Sequence, residues 1–265
     1  MSVDTKSEAR IDARTDGAIG WLVFNNPARR NAVSLGMWEA IPRVLEDFGA
    51  DPAIRVVVLA GAGERAFVSG ADISQFESQR SSAEAVQRYE KIGDAAQSRL
   101  QGFDKPTIAM IRGYCIGGGL GIAAACDLRL AADDARFSIP AAKLGLGYRA
   151  SSMKKLVDIV GAAYAKEIML TARQFGAAEA KEMGLVHRVV PVAELEKLTR
   201  EYCDAIAANA PLTMRAAKRI IGEVVKTDYD DAKCDALVKE CFDSADYTEG
   251  RKAFMEKRKP VFKGS

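Results

Sequence analysis

Pro106-Thr107-Ile108-Ala109-Met110-Ile111-Arg112-Gly113-Tyr114-Cys115-Ile116-Gly117-Gly118-Gly119-Leu120-Gly121-Ile122-Ala123-Ala124-Ala125 decides the architecture. Proline opens a short apolar strand, Thr107 to Ile111. The strand runs into five glycines (Gly113, Gly117, Gly118, Gly119 and Gly121), and Leu120 to Ala125 then reads as a helix of small residues. Strand, glycine turn and helix in immediate succession make the repeating unit of an α/β fold.

The flanks repeat the pattern. Ile19 to Phe24 is an apolar run that ends at the turn Asn25-Asn26-Pro27. Ser34 caps a helix that begins at Leu35 and runs to about Phe48. Arg55 to Leu59 (RVVVL) reads as a buried strand, and Ala66-Phe67-Val68 as a second short one. A polar helix covers Ser81 to Leu100. Leu128 to Ala131 and Ala135 to Ile139 are further strands. From about Ser151 the period turns helical, with breaks near Gly161, Gly176 and Gly184. A soft boundary falls near Val192, giving a core over 1–195 and a helical C-terminal region over 196–265. Residues 1–14, polar and of mixed charge, read as a short flexible lead-in without the apolar stretch of a secretory signal.

Composition removes several classes of function. The 265 residues carry 38 Lys and Arg against 36 Asp and Glu, a net charge of +2, which offers no single-sign field to nucleic acid or an anionic membrane. Hydrophobic residues are 48% of the chain and charged ones 28%, so it can build a sizeable core. No apolar run approaches the ~20 residues of a membrane span. Five cysteines at unpaired spacing and one histidine, His187, argue against a zinc site and a disulfide framework, and place the protein in a reducing cytoplasm. His187 is expected to be structural or solvent-facing.

Gly117-Gly118-Gly119 admits two readings. Glycines allow a strand and a helix to pack closely, or they expose N–H groups at a helix N-terminus, where a developing oxyanion is stabilised. There is no GxxxxGK[ST], and a GxGxxG starting at Gly117 fails at Ile122. A second glycine turn, Ser69-Gly70-Ala71-Asp72-Ile73, follows the strand ending at Val68. Two such turns can aim two N–H donors at one carbonyl oxygen.

Taken in order, several segments resemble the crotonase, or enoyl-CoA hydratase/isomerase, superfamily. They are Asn26-Pro27-Ala28-Arg29-Arg30-Asn31-Ala32, Arg55 to Gly61, Ala66 to Ile73, Lys105 to Ala109, Gly113 to Gly119, Ala125-Cys126-Asp127-Leu128-Arg129, Leu144-Gly145, Ala177 to Ala180 and Gly184-Leu185-Val186. The resemblance runs in register from about residue 15 and implies a spiral of ββα units with a helical C-terminal trimerisation region. A homotrimer, or a hexamer built as a dimer of trimers, is expected. It implies an acyl-CoA thioester as substrate, with no separate cofactor and no metal. The thioester carbonyl would be polarised by the N–H groups of Ala71 and Gly118. Ala28, Arg30, Ala32, Ser69, Asp72 and Ile73 resemble the backbone that cradles the CoA adenine. Phe254 and Lys257 resemble C-terminal residues that touch CoA from a neighbouring subunit. Ser74 stands where the family often has a lysine.

The same resemblance implies what this chain lacks. The two glutamates of the family's hydratases would fall at Gly121 and Ala141, and neither residue can transfer a proton. Related isomerases, dehalogenases and hydrolases place an aspartate a few residues on, where Tyr148 and Arg149 stand. The reading therefore predicts very weak hydration of crotonyl-CoA. Phe137 to Tyr148 resembles the matching segment of bacterial methylmalonyl-CoA decarboxylase, which carries a tyrosine at the Tyr148 position and a histidine where Ala71 stands. Base-free decarboxylation with Tyr148 is one alternative, and a non-catalytic acyl-CoA binder is another. Tyr148 also reads as a half-buried loop residue. Lys143 and Arg149 are candidates to pair with a carboxylate or phosphate, and Lys143 fits a surface charge better. Asp127 is expected to be structural. An acidic side chain reaching the pocket from elsewhere, for example Glu77 or Glu90, would favour catalysis.

Overall fold

A computed structural model describes residues 9–72 and 83–265. Among the described residues, ten strands form two sheets. In chain order they are β1 (Arg10–Asp16), β2 (Ile19–Asn25), β3 (Val56–Gly61), β4 (Ala66–Val68), β5 (Thr107–Ile111), β6 (Tyr114–Ile116), β7 (Leu128–Ala132), β8 (Arg136–Ser138), β9 (Phe175–Gly176) and β10 (Arg188–Val190). The larger sheet has the order β1-β2-β3-β5-β7-β10 and the smaller β4-β6-β8-β9. Each of the pairs β3/β4, β5/β6 and β7/β8 sends its first strand to the larger sheet and its second to the smaller. Neighbours from successive pairs run parallel. This is the expected spiral: a right-twisted strand pair is followed by a helix that returns the chain to the next layer.

The larger sheet is buried on both faces. Val57 and Leu59 point into one apolar cluster, while Val56, Val58 and Ala60 point into the other, which is the period-2 alternation of a doubly covered strand. Helix α1 (Leu35–Ala50) lies on the first face. Ser34 caps it by accepting from Met37 N at 3.3 Å, and Met37, Trp38, Ile41, Leu45 and Phe48 are its buried stripe. Helix α2 (Ala83–Gln101) packs beside it. Helix α3 (Gly118–Ala125) follows β6, and α4 (Ala150–Thr171) follows β8. The short α5 (Ala177–Glu182) leads to β10, and α6 (Leu195–Ala207) seals the second face of the sheet with Leu195 and Cys203. Helices α7 (Pro211–Val224), α8 (Asp231–Phe242) and α9 (Ala245–Met255) complete the helical C-terminal region. Among the described residues no helix is long and apolar enough to cross a membrane.

Two expectations are corrected. Residues 10–14 are not a flexible lead-in. Arg10–Asp16 pairs antiparallel with all of β2, from Arg10 opposite Asn25 to Asp16 opposite Ile19. This is an edge strand held by backbone hydrogen bonds and by Ile11 against the core, so its polar composition hid it. Helix α3 begins at Gly118 rather than Leu120. Glycine is a poor helix former in isolation, but here Gly119 must approach the sheet: a Cβ on it would lie 2.1 Å from Val68 O.

Candidate active site

The segment Ser69–Asp72 after β4 and the start of α3 meet at one point. Ala71 bridges Val33 in parallel fashion, with Val33 N donating to Gly70 O at 2.8 Å and Asp72 N to Val33 O at 3.0 Å. In such a bridge the central residue's own N–H and C=O point to the other side. The N–H of Ala71 therefore faces away from Val33, towards α3. Gly118 stands there: a Cβ built on it would lie 4.0 Å from Ala71 N. Gly118 is the first residue of α3, and the first intrahelical bond is Gly121 N to Gly117 O at 3.1 Å. Its N–H thus belongs to the orphan donors of a helix N-terminus. Gly117 is held at φ 53°, a conformation that suits glycine, with its N–H donating to Ser138 O at 2.8 Å. The turn is thereby tied to the end of β8.

Ala71 and Gly118 line one cavity of about 260 Å³. Trp38 forms part of its wall beside Gly118 and donates from Nε1 to Tyr89 Oη at 3.0 Å. Gly121 and Ala141 line it too. The space a side chain would take at Gly121 is occupied by the Gln97 carboxamide, whose Oε1 would stand 3.0 Å from a Cβ there. Ala141 is buried in the 3-10 turn Pro140–Leu144. Tyr148 also lines the cavity, and burial pushes its phenol pKa up, so the hydroxyl stays protonated as a donor.

Further polar side chains of the cavity come from two helices. From α2, Tyr89, Glu90, Gly93, Asp94 and Gln97 fall on one helical face and line the cavity. From the start of α4 come Arg149, Ser152 and Lys155. Arg149 donates to Glu90 Oε2 from Nη2 at 2.7 Å and from Nε at 3.3 Å, and its Nε lies 3.6 Å from Asp94 Oδ2. Burial lowers the pKa of Lys155, with Asp94 acting in the opposite direction. Of these residues the sequence reading singled out only Glu90, Tyr148 and Arg149. A helical stripe of Glu, Asp and Gln carries the same signature as a solvated face, so Asp94, Gln97 and Lys155 left no distinctive signal.

The other expected residues group as follows. Ala28, Arg30 and Ala32 lie in or beside the 3-10 turn Pro27–Arg29, which is laced to the segment after β4. Ser69 N donates to Arg30 O and Ser69 Oγ to Arg29 O, both at 3.1 Å. Buried Asp72 accepts from Arg29 Nη1 at 2.9 Å. Arg30 sits over the Tyr114 ring at 4.7 Å. Ser69 lines the cavity, so this turn adjoins its mouth. Ile73, Ser74 and Glu77 lie outside the described residues. Phe254 and Lys257 are exposed at and just beyond the end of α9 and do not line the cavity of their own chain. Lys143 is exposed and outside the cavity. Asp127 is structural: it accepts from Thr107 N and Oγ1 and pairs with Lys218 at 2.7 Å. His187 accepts from Arg129 N at 3.1 Å.

Comparison with known proteins agrees with this arrangement. The sequence model of the enoyl-CoA hydratase/isomerase family matches residues 14–265. The short-chain-enoyl-CoA hydratase of Clostridium acetobutylicum is 33% identical over 246 residues, covering 92% of this chain and 94% of that protein. A peroxisomal Δ(3,5)-Δ(2,4)-dienoyl-CoA isomerase of Arabidopsis thaliana is 34% identical and covers 80% of each. The crystal structure of an enoyl-CoA hydratase/carnitine racemase from Magnetospirillum magneticum superposes with a TM-score of 0.90 at 36% identity, over 96% of both chains. The match of the family model and of the fold runs over nearly the whole length, and this chain belongs to the enoyl-CoA hydratase/isomerase family.

Proposed function

We propose that the protein binds an acyl-CoA thioester with its carbonyl oxygen between the N–H groups of Ala71 and Gly118, and stabilises the enolate formed from it. The supporting observation is the orientation of Ala71, whose N–H turns from Val33 towards the orphan N–H groups at the start of α3. Fixed donors aimed at developing negative charge need no reorganisation as the reaction proceeds, and each is worth roughly 3–4 kcal/mol of barrier. The turn from Ala28 to Ala32 and the segment from Ser69 to Asp72 would hold the CoA moiety at the mouth.

Two-glutamate hydration is not part of this reading. Gly121 and Ala141 carry no acid, and Gln97, which fills the space at Gly121, can orient a water but not exchange a proton at neutral pH. Crotonyl-CoA is expected to be hydrated far more slowly than an ordinary turnover of about 10 s⁻¹. A stopped spectrophotometric assay checks this, and ordinary turnover would contradict it.

A second reading is favoured by Tyr148. Its protonated phenol lines the same cavity as the two N–H donors. In a decarboxylation the C–C bond to the carboxylate breaks, its electron pair enters the enolate held by the two donors, and a proton is then delivered to carbon. Incubation with methylmalonyl-CoA should yield propionyl-CoA and CO2, more slowly in Tyr148→Phe. Tight binding without turnover across a thioester panel would instead identify a carrier. A homotrimer, or a dimer of trimers, belongs to the same reading. The exposed Phe254 and Met255 of α9 suit a neighbouring subunit, and light scattering in solution tests it.

A further inference from the structure

The hydroxyl of Tyr89, on α2, is bonded to the supports of both main-chain donors. Its Oη accepts from Trp38 Nε1 at 3.0 Å and donates to Val33 O at 3.4 Å. Val33 is buried and pins the residues on either side of Ala71: its N–H donates to Gly70 O, and its carbonyl accepts from Asp72 N. That bridge stands alone, outside the named strands, so each bond to Val33 counts in aiming the Ala71 N–H. The Val33 carbonyl accepts from Asp72 and from Tyr89, as its two lone pairs allow.

Trp38 serves the other donor. It is buried on α1, and the edge of its six-membered ring lies against Gly118. A Cβ built on Gly118 would stand 3.5 Å from Cζ2 and 3.9 Å from Cη2. A Cβ on Gly93 of α2 would stand 3.8 Å from Cε2 and 3.9 Å from Cδ2. The indole is thus a plate wedged between α2 and the start of α3, and the bond from Nε1 to Tyr89 fixes its tilt. The chain from Trp38 N–H through the Tyr89 O–H to the Val33 carbonyl runs in one direction, so each bond strengthens the next. Phenylalanine at position 89 would keep the ring and make neither bond. Fixed donors act on a carbonyl only when held within about 0.5 Å of the productive geometry.

We propose that Tyr89 is a positioning residue: its hydroxyl sets the separation and aim of the Ala71 and Gly118 N–H groups, through Val33 and Trp38 rather than by contact with the thioester. This rests on the thioester reading above and adds what holds the two donors in place.

Isotope-edited infrared difference spectra test it, taken on the full chain saturated with butyryl-CoA labelled at the thioester carbonyl. In the native protein the carbonyl stretch should fall below that of the free ester in water, because two fixed donors draw electron density onto the oxygen. Tyr89→Phe should bring the band at least half-way back to the free position. The band reports the bound ester alone, so a general loss of affinity does not imitate the change. Trp38→Phe cuts the same bond from its other end, should move the band in the same direction, and stands in if the first variant does not fold. A band unmoved in the folded variants would overturn the proposal while the thioester reading stood. Loss of the fold in both would show that the bond holds the structure rather than the donors, and would overturn it too. A native band at the free-ester position, or no binding by the native chain, would overturn the thioester reading and this proposal with it.

Discussion

The two ends of the cavity are built from different material. At the end formed by Ala71 and Gly118 the polar groups are main-chain amides, placed by a strand bridge and a helix start. At the end formed by α2 and α4 they are side chains: Glu90, Asp94, Gln97, Arg149 and Lys155. The first end follows from the fold and changes only if the fold changes. The second changes with single codons. A family can thus keep its oxyanion donors while its acids and bases come and go. In the proposed reading Gly121 and Ala141 line the cavity without an acid, while the main-chain amides of Ala71 and Gly118 do not depend on side-chain identity.

Removing one main-chain donor should break the first end most severely. Gly118→Pro deletes the N–H at the first helical position, where proline is tolerated because no intrahelical bond is lost. Whatever thioester reaction the protein performs should fall about 10²–10³-fold in kcat. Gly118→Ala keeps the N–H, and its Cβ meets Trp38 Cζ2 at an ordinary 3.5 Å, so it should lose much less. Equal losses in the two variants would show that the N–H is not what matters there.

Restoring side chains should sharpen the contrast from the other side. Gly121→Glu with Ala141→Glu and Gln97→Ala supplies both acids and clears the carboxamide from Gly121. If the amide end is intact, crotonyl-CoA hydration should rise by about tenfold or more, within the range acid–base groups contribute. No gain in a folded triple variant would mean that the amides are not positioned for a thioester.

The remaining two effects concern the frame. Gly119→Ala forces a Cβ to within 2.1 Å of Val68 O, so the α3 turn must shift from the sheet. A loss of about 2–3 kcal/mol is expected, seen as a Tm lower by roughly 5–10 °C. An unchanged Tm would show that this approach is slack. The smallest effect is at His187, which does not line the cavity. Burial, and then the charge of Arg129, lowers its pKa below the ordinary value, while its Nδ1 accepts from Arg129 N. The unfolded chain then binds a proton at higher pH than the folded one. Stability at this site is present above the ordinary pKa near 6.5 and declines as pH falls below it. Tm should therefore drop more between pH 7.5 and 5.5 in the native chain than in His187→Asn. Parallel profiles would contradict the assignment.

The amide end was legible in the sequence because its causes are local. Glycine at Gly117 is required by a positive φ and at Gly119 by contact with Val68, and both leave an unmistakable mark between apolar strands. Strand β3 of the larger sheet is legible for the same reason, since Val56 to Ala60 are buried on both faces and read as an unbroken apolar run. The side-chain end was not. Asp94 and Lys155 sit at ordinary polar positions of helices α2 and α4, and only the tertiary fold brings them to one cavity. Residues Arg10–Asp16 were missed because an edge strand draws on backbone hydrogen bonds, which any composition supplies.

The most direct test of the central claim is a crystal structure with a non-reactive acyl-CoA bound. The thioester oxygen should lie about 2.7–3.1 Å from the nitrogens of both Ala71 and Gly118. An ordered thioester whose oxygen touches neither nitrogen, or a CoA seated outside the cavity, would contradict it.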